Sequence, residues 1–345
     1  MENLYLITLF SALISFLITP LVRKLAFSFN VVDVPKDNRR VHKKPIPKLG
    51  GLAIYIAFLI MIFLKKSPID QSEIGIIIGS LIIVIGGVVD DKYNIKPWQK
   101  LLFQIAAASF LIFFKVMISV ITNPISDVNL YIRIANFIAV PLTMLWVIGV
   151  TNAFNLIDGL DGLSAGLAFI ACITMTIVAF LSGKADMEVI TLTIILGGAI
   201  LGFLPHNFNP ASIFMGDTGA QLLGFLLASI AMRGAIKSAS AIVLAVPILA
   251  LGLPIYDTIF AIIRRKVNGK SIAEADRGHL HHRLLDMGLT QRQAVIIMYL
   301  ISIALGFIAV IVMQLTNKSA YTVLGVVIIV IVLLAWKFGL FRHRS

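Results

Sequence analysis

About eleven apolar runs divide this sequence, each close to the roughly 20 residues that a helix needs to cross a hydrocarbon core about 30 Å thick. They fall near residues 4–22, 49–64, 74–91, 99–121, 134–154, 163–182, 187–204, 218–236, 239–263, 293–315 and 320–340. A spanning segment must satisfy its own backbone, so it is either a helix or a strand of a closed barrel. Barrel strands alternate in polarity over about ten residues, and these runs are continuously apolar. The expected fold is therefore all-α: a polytopic integral membrane protein with about 11 transmembrane helices, forming a single membrane-embedded domain over residues 1–345. Composition agrees, since 59% of the 345 residues are hydrophobic, 13% are charged and mean hydropathy is +0.97. Soluble globular chains lie far from these values. The first run ends at Arg23-Lys24 instead of a small-residue cleavage site and reads as a retained helix. Cys172, the single cysteine, sits inside a span and reads as a small core residue.

Eleven spans sort the loops into two sets. One set holds 21 of the 29 lysines and arginines, concentrated in 23–48, 92–100, 264–292 and the tail; the other holds eight. Positive loops stay inside, which sets the amino terminus outside and the carboxyl terminus in the cytoplasm of a multi-pass cell-membrane protein. Topogenic charge and anionic headgroups account for most of the net charge of +12. Nucleic acid is not expected as a partner, because the basic residues are scattered over short loops without interleaved aromatics. The stretches 39–48 and 264–283 are nevertheless dense enough to hold a polyanion.

The same threading gathers four polar loops on the cytoplasmic face. Asp90-Asp91 ends a span; adjacent carboxylates there bind a cation, raise one another's pKa, or simply cap the helix. Asn152, Asn155, Asp158 and Asp161 recur every third residue, a step that drifts about 60° round a helix, so Asn155 and Asp158 share a face while Asn152 and Asp161 diverge. Hard amide and carboxylate oxygens at a helix end suit Mg²⁺, which keeps waters or substrate phosphates in its remaining positions. Asn207 to Asp217 adds another acid between Gly216 and Gly219 at a helix start, where free amides attract phosphate and where an Asp is also an ordinary N-cap. Phe208 and Phe214 either stack on a base or anchor at the interface. In Asp276 to Arg283, His279, His281 and His282 lie between Arg277 and Arg283. The tight spacing and absent cysteine argue for a phosphate cradle over zinc. Asp257, about 10 Å inside the ninth span, is expected to face the bundle interior, with its role open.

Together these residues resemble the polyprenyl-phosphate N-acetylhexosamine-1-phosphate transferase family. The likeness rests on Asp90-Asp91 after an apolar run, N-x-x-N-x-x-D-G-x-D-G over 152–162, Phe214-Met-Gly-Asp217 and His279-Leu-His-His282, in that order along essentially the whole chain. The resemblance implies that a lipid-carrier phosphate attacks the β-phosphorus of a UDP-sugar and releases UMP. It implies Mg²⁺, with Mn²⁺ as a substitute, held by Asp217 and Asn155. It implies catalytic carboxylates at Asp90, Asp91 and Asp158, and substrate contacts from Lys43, Asn152, Asp161, Asn207, Phe214, Arg277, His279, His281 and His282. Leu280 interrupts the histidine run, which looks like the branch using UDP-N-acetylglucosamine and undecaprenyl phosphate at the start of teichoic acid, O-antigen or common-antigen synthesis. The phospho-N-acetylmuramoyl-pentapeptide transferases of peptidoglycan synthesis are the alternative, and a cation channel or carrier is the alternative of a different class. Direct attack is favoured; a two-step route through Asp90 or Asp158 stays open. A homodimer is compatible with the sequence.

Overall fold

The computed structural model describes residues 3–34, 45–118, 120–122, 131–133, 135–182, 187–237, 245–271, 278–315 and 317–337. Thirteen helices and two small hairpins occupy them. In order they are α1 (Leu4–Ser28), β1 (Val32–Asp33), β2 (Ile46–Pro47), α2 (Gly50–Leu64), α3 (Gln71–Tyr93), α4 (Pro97–Phe113), β3 (Val120–Thr122), β4 (Tyr131–Arg133), α5 (Asn136–Ile157), α6 (Leu163–Leu181), α7 (Met187–Asn207), α8 (Gly216–Lys237), α9 (Ala245–Ala250), α10 (Gly252–Val267), α11 (Leu280–Asp286), α12 (Gln291–Gln314) and α13 (Asn317–Lys337). Seven of the helices are long and apolar enough to cross a membrane, and α2 is a shorter apolar helix.

Two expected spans need correction. The run 99–121 stops at Phe113, because Lys115 takes a left-handed φ of 62°. Val116 N then donates to Leu111 O at 2.8 Å and Lys115 N to Ile112 O at 2.9 Å, the paired bonds that close a helix, here with Lys where Gly is usual. The ninth run is broken into α9 and α10 at Leu251. Pro254 has no N–H to give Ala250, so a continuous helix would lose that bond at the joint, whereas a proline in the first turn of α10 loses nothing. The hairpins are minor departures from an all-helical chain: β1 pairs antiparallel with β2, and β3 with β4.

Helix α8 lies at the centre. Leu222, Leu223, Phe225, Leu226, Leu227 and Ile230 are all fully buried, which covers every side of the helix. It packs against α2, α3, α5, α6 and α7. By contrast α13 exposes Leu333, Leu334 and Trp336, an apolar surface suited to lipid. Helices α3 and α8 run antiparallel, since the end of α3 meets the start of α8 at one end of the bundle and Arg233 near the end of α8 meets Asp70 ahead of α3 at the other. The starts of α2, α6, α8 and α12 and the ends of α3, α5 and α7 share the first of these ends.

Candidate active site

The start of α8 is assembled from three separate parts of the chain. Phe214 N donates to Pro47 O at 2.8 Å, while Gly50 N and Gly51 N donate to Phe214 O and Met215 O, both at 2.9 Å. This pairing fixes the 46–51 segment against the residues just ahead of Asp217. Gly216 then turns with φ +71°, and a Cβ on it would lie 2.1 Å from Lys48 O and 2.5 Å from Asp91 Oδ2, so no other residue fits. The cap of α8 comes from α3: Asp91 accepts Asp217 N at 2.9 Å, Thr218 N at 3.0 Å and Thr218 Oγ1 at 2.6 Å. Because Asp91 satisfies the free amides of α8, Asp217 is spared the capping role and presents its carboxylate elsewhere.

That carboxylate meets two other elements. Asn155, in the last turn of α5, donates its side-chain amide to Asp217 Oδ1. Lys100, in the first turn of α4, places Nζ 3.4 Å from Asp217 Oδ2 and also pairs with Asp90. Asp90 Oδ1 in turn accepts Ile95 N at 3.0 Å and is almost fully buried. Asp158 caps the end of α5 and faces the same space. Its carboxyl is pushed up to about 8, first by burial and then by the negative charges of Asp217, Asp91 and Asp161. Carboxylates thus outnumber the nearby ammonium, and a cation or a proton is favoured among them.

A cavity of about 420 Å³ opens here. Asp91, Asn155, Asp158, Asp161, Asn207, Phe214 and Asp217 line it, which brings three of the four polar loops together. Asp161 Oδ2 also accepts Asn209 Nδ2 and Ala211 N, each at 3.0 Å, and so ties the 158–161 turn to the 207–211 loop. Asn207 has a similar double role, with Oδ1 accepting Gly162 N at 3.2 Å and Nδ2 donating to Ile213 O at 3.1 Å.

Other expected site residues lie apart from the cavity. Asn152 sits one turn deeper on α5, exchanging hydrogen bonds with Gln104, which also reaches Gln221 at 3.0 Å. The histidine loop packs behind the wall. His279 Nδ1 is 2.7 Å from Asp257 Oδ2, and Leu280 N donates to Asp257 Oδ1 at 2.9 Å, so Asp257 anchors the start of α11. His281 is buried against Gly159, where a Cβ would fall 2.4 Å from its Nε2. Its pKa is lowered to about 3, chiefly by burial and then by His282, so the ring is neutral at ordinary pH. His282 is half-buried with its ring 4.2 Å from that of His281. Asp90 joins the cluster through Lys100 and through a side-chain hydrogen bond with Asp217. Lys43 and Arg277 lie outside the described residues.

Sequence reasoning missed Lys100, whose signal was a base within ten residues of Asp90 at a proline-started helix. It also missed Asp33, Asn209 and Gln291, which line the cavity and belong to no pattern that spacing reveals, whereas Lys48 closes the basic stretch 39–48 expected to hold a polyanion. Among the described residues no three Asp, Glu, His or Cys side chains form a ready metal cage. The donor set of Asp217 carboxylate and Asn155 amide instead fits an ion of the Mg²⁺ type, which binds through one or two protein ligands and takes the rest from water and phosphate. The amide of Asn155 needs only to turn its oxygen toward the ion, since the two ends of an amide are interchangeable by rotation.

The sequence profile of glycosyl transferase family 4 matches residues 73–235, from the start of α3 to the end of α8. A probable undecaprenyl-phosphate N-acetylglucosaminyl 1-phosphate transferase of Bacillus subtilis (strain 168) is 36% identical over 340 residues, covering 99% of this chain and 92% of the relative. A decaprenyl-phosphate N-acetylglucosaminephosphotransferase of Mycolicibacterium smegmatis is 35% identical over 329 residues, 87% of this chain and 80% of its own. A phospho-N-acetylmuramoyl-pentapeptide-transferase of Clostridium botulinum is 30% identical over 327 residues, 87% of this chain and 93% of its own. With near-complete overlap at this identity, and with the matched segment supplying Asp90, Asp91, Asn155, Asp158 and Asp217, the chain belongs to glycosyl transferase family 4.

Proposed function

We propose that the protein transfers N-acetylglucosamine 1-phosphate from UDP-N-acetylglucosamine to undecaprenyl phosphate, releasing UMP, as the first membrane step of teichoic acid or other surface polysaccharide synthesis. The observation that carries this reading is a carboxylate-lined cavity of about 420 Å³ at one end of a membrane bundle. A water-soluble donor and a lipid acceptor meet only at such a boundary. The choice of sugar is supported by the 36% and 35% identity to transferases named for N-acetylglucosamine.

In the proposed reaction an oxygen of the lipid phosphate bonds to the β-phosphorus of the donor. The bond from that phosphorus to the bridging oxygen breaks, its electron pair leaves on UMP, and the sugar stays on the transferred phosphate. A phosphate monoester has a second pKa of about 6, so the acceptor attacks at neutral pH without a general base. The protein's work is then positioning and charge neutralisation. Asp217 and Asn155 would hold Mg²⁺, or Mn²⁺ in its place, and the ion would offset charge on the donor diphosphate. Lys100 holds Asp90 and Asp217 together and Asp91 fixes α8, roles that favour positioning over nucleophilic attack by Asp90. Asp158 lines the cavity and is the residue through which a two-step route would run. Direct attack is the favoured route.

We also propose eleven crossings in a single domain of the plasma membrane, with α9 and α10 counted as one broken crossing, the cavity on the cytoplasmic side and the amino terminus outside. The lopsided lysine and arginine count supports this.

Purified protein supplied with UDP-N-acetylglucosamine, undecaprenyl phosphate and Mg²⁺ is expected to release UMP. Release only with UDP-N-acetylmuramoyl-pentapeptide would move the chain to that branch, and release with neither donor would contradict the transferase reading.

A further inference from the structure

Five carboxylates line the cavity, those of Asp33, Asp91, Asp158, Asp161 and Asp217, and among the described lining residues Lys48 is the only base. Its backbone is held on both sides. Lys48 N donates to Val31 O at 3.2 Å, and its carbonyl is pressed against Gly216, next to Asp217. Its ammonium is held loosely by comparison. Nζ stands 3.9 Å from Asp33 Oδ1, beyond hydrogen-bond distance, with the side chain 22% exposed. A half-open pair at that distance contributes little and is readily exchanged for a better partner. Lys100 differs in each respect, being engaged by Asp90 and Asp217 at the start of α4.

We propose that Lys48 is a substrate-binding residue that leaves Asp33 to take a phosphate oxygen of the nucleotide-sugar diphosphate, an inference that rests on the transferase reading above. A dianionic donor entering a space walled by carboxylates needs a positive charge on the protein as well as a metal. Lys48 provides it from strand-linked chain beyond the helix ends, on the side from which a soluble donor arrives. Phe214, whose carbonyl pairs with Gly50, stands on the same segment pairing and also lines the cavity. The lipid phosphate approaches from the bilayer and falls to Lys100, so the two bases divide the two anionic substrates.

The test compares full-length wild type with Lys48→Ala and Lys48→Arg, each checked for an unchanged size-exclusion profile. UMP release gives the KM for UDP-N-acetylglucosamine at saturating lipid and the KM for undecaprenyl phosphate at saturating donor. Calorimetric titration with UDP and Mg²⁺ gives affinity without turnover. Lys48→Ala is expected to raise the donor KM about tenfold or more and to weaken UDP by a similar factor, the loss of one charge-assisted phosphate contact. The acceptor KM should stay within about twofold, and Lys48→Arg should recover most of the donor KM because it keeps the charge. An unchanged donor KM, equal UDP affinity of wild type and Lys48→Ala, or a rise in the acceptor KM in place of the donor KM would each overturn the assignment. Wild type that binds UDP but releases no UMP would instead sink the transferase reading, with Lys48 still judged on UDP affinity.

Discussion

Helices α3 and α8 carry a charged cluster at each of their ends, roughly 30 Å apart by the rise of α3, and the two clusters use similar residues to opposite effect. At one end Asp70 and Glu73 form a capping box at the start of α3. Arg233 bonds Asp70 bidentately, at 2.6 and 3.1 Å, and also meets Glu188, while Lys65 sits 2.9 Å from Glu73 with both side chains buried. Three acids face two bases in close pairs. At the other end Asp90, Asp91, Asp158 and Asp217 face Lys100, and the surplus carboxylates open onto a cavity. Acids held in close pairs with bases close a structure; a surplus of carboxylates turned toward a void awaits a ligand. The count of acids alone does not separate the two ends. Their pairing does.

The sharpest way to break this contrast is to remove one member of each cluster. Asp217→Asn is expected to lower UMP release by about 10²-fold or more, the scale seen when one electrostatic contact to a transition state is lost, with an unchanged elution profile. Arg233→Met should leave turnover of the folded protein near wild type and cost about 3 kcal/mol of stability, read as a lower melting midpoint in detergent. That figure sits at the low end for buried pairs because Asp70 and Glu188 are 36% and 34% exposed. If Arg233→Met abolished turnover without lowering the midpoint, the two ends would not be divided as described.

A weaker effect concerns pH. The Asp158 carboxyl is raised from 3.8 to about 8, so its contribution to stability is full below the ordinary carboxylate value and is lost as pH climbs through about 8. In chelator the melting midpoint should therefore fall across that window, and Asp158→Asn should flatten the decline. The smallest change is expected at the back of the wall. Asp257→Asn loosens His279 and the start of α11, which should raise the donor KM a few-fold, the scale of about 1 kcal/mol for one weakened hydrogen bond, with little change in kcat.

Much of this was legible before any coordinates. Ten of the eleven apolar runs correspond to single helices, because a membrane leaves a continuous apolar run little alternative. The break at Leu251 was hidden by composition, as Gly252 and Pro254 are apolar enough to pass within a hydrophobic window. Helical drift correctly separated Asn152 from Asn155 and Asp158; only the latter two reach the cavity. Asp161 returns to it because the chain leaves the helix at Asp158, a turn that periodicity cannot follow. Asp257, the deepest acid and the residue most suggestive of an ion path, is occupied by His279, a partner 22 residues away. Arg233 counted only as a charge on one side until its partners Asp70 and Glu188 appeared. Lys100 was invisible for the same reason, since its meaning lies in contacts across a long separation, and Lys48 stood out only as one charge of the basic stretch 39–48.

The central claim is that the cluster at the cavity, and not the ion-paired one at the other end, takes a divalent cation through Asp217. Titration of Mn²⁺ followed by electron paramagnetic resonance, in the presence of UDP, tests it directly on wild type, Asp217→Asn and Arg233→Met. The account predicts one bound ion per chain in wild type and Arg233→Met, and its loss in Asp217→Asn. Undiminished Mn²⁺ binding by Asp217→Asn would contradict it.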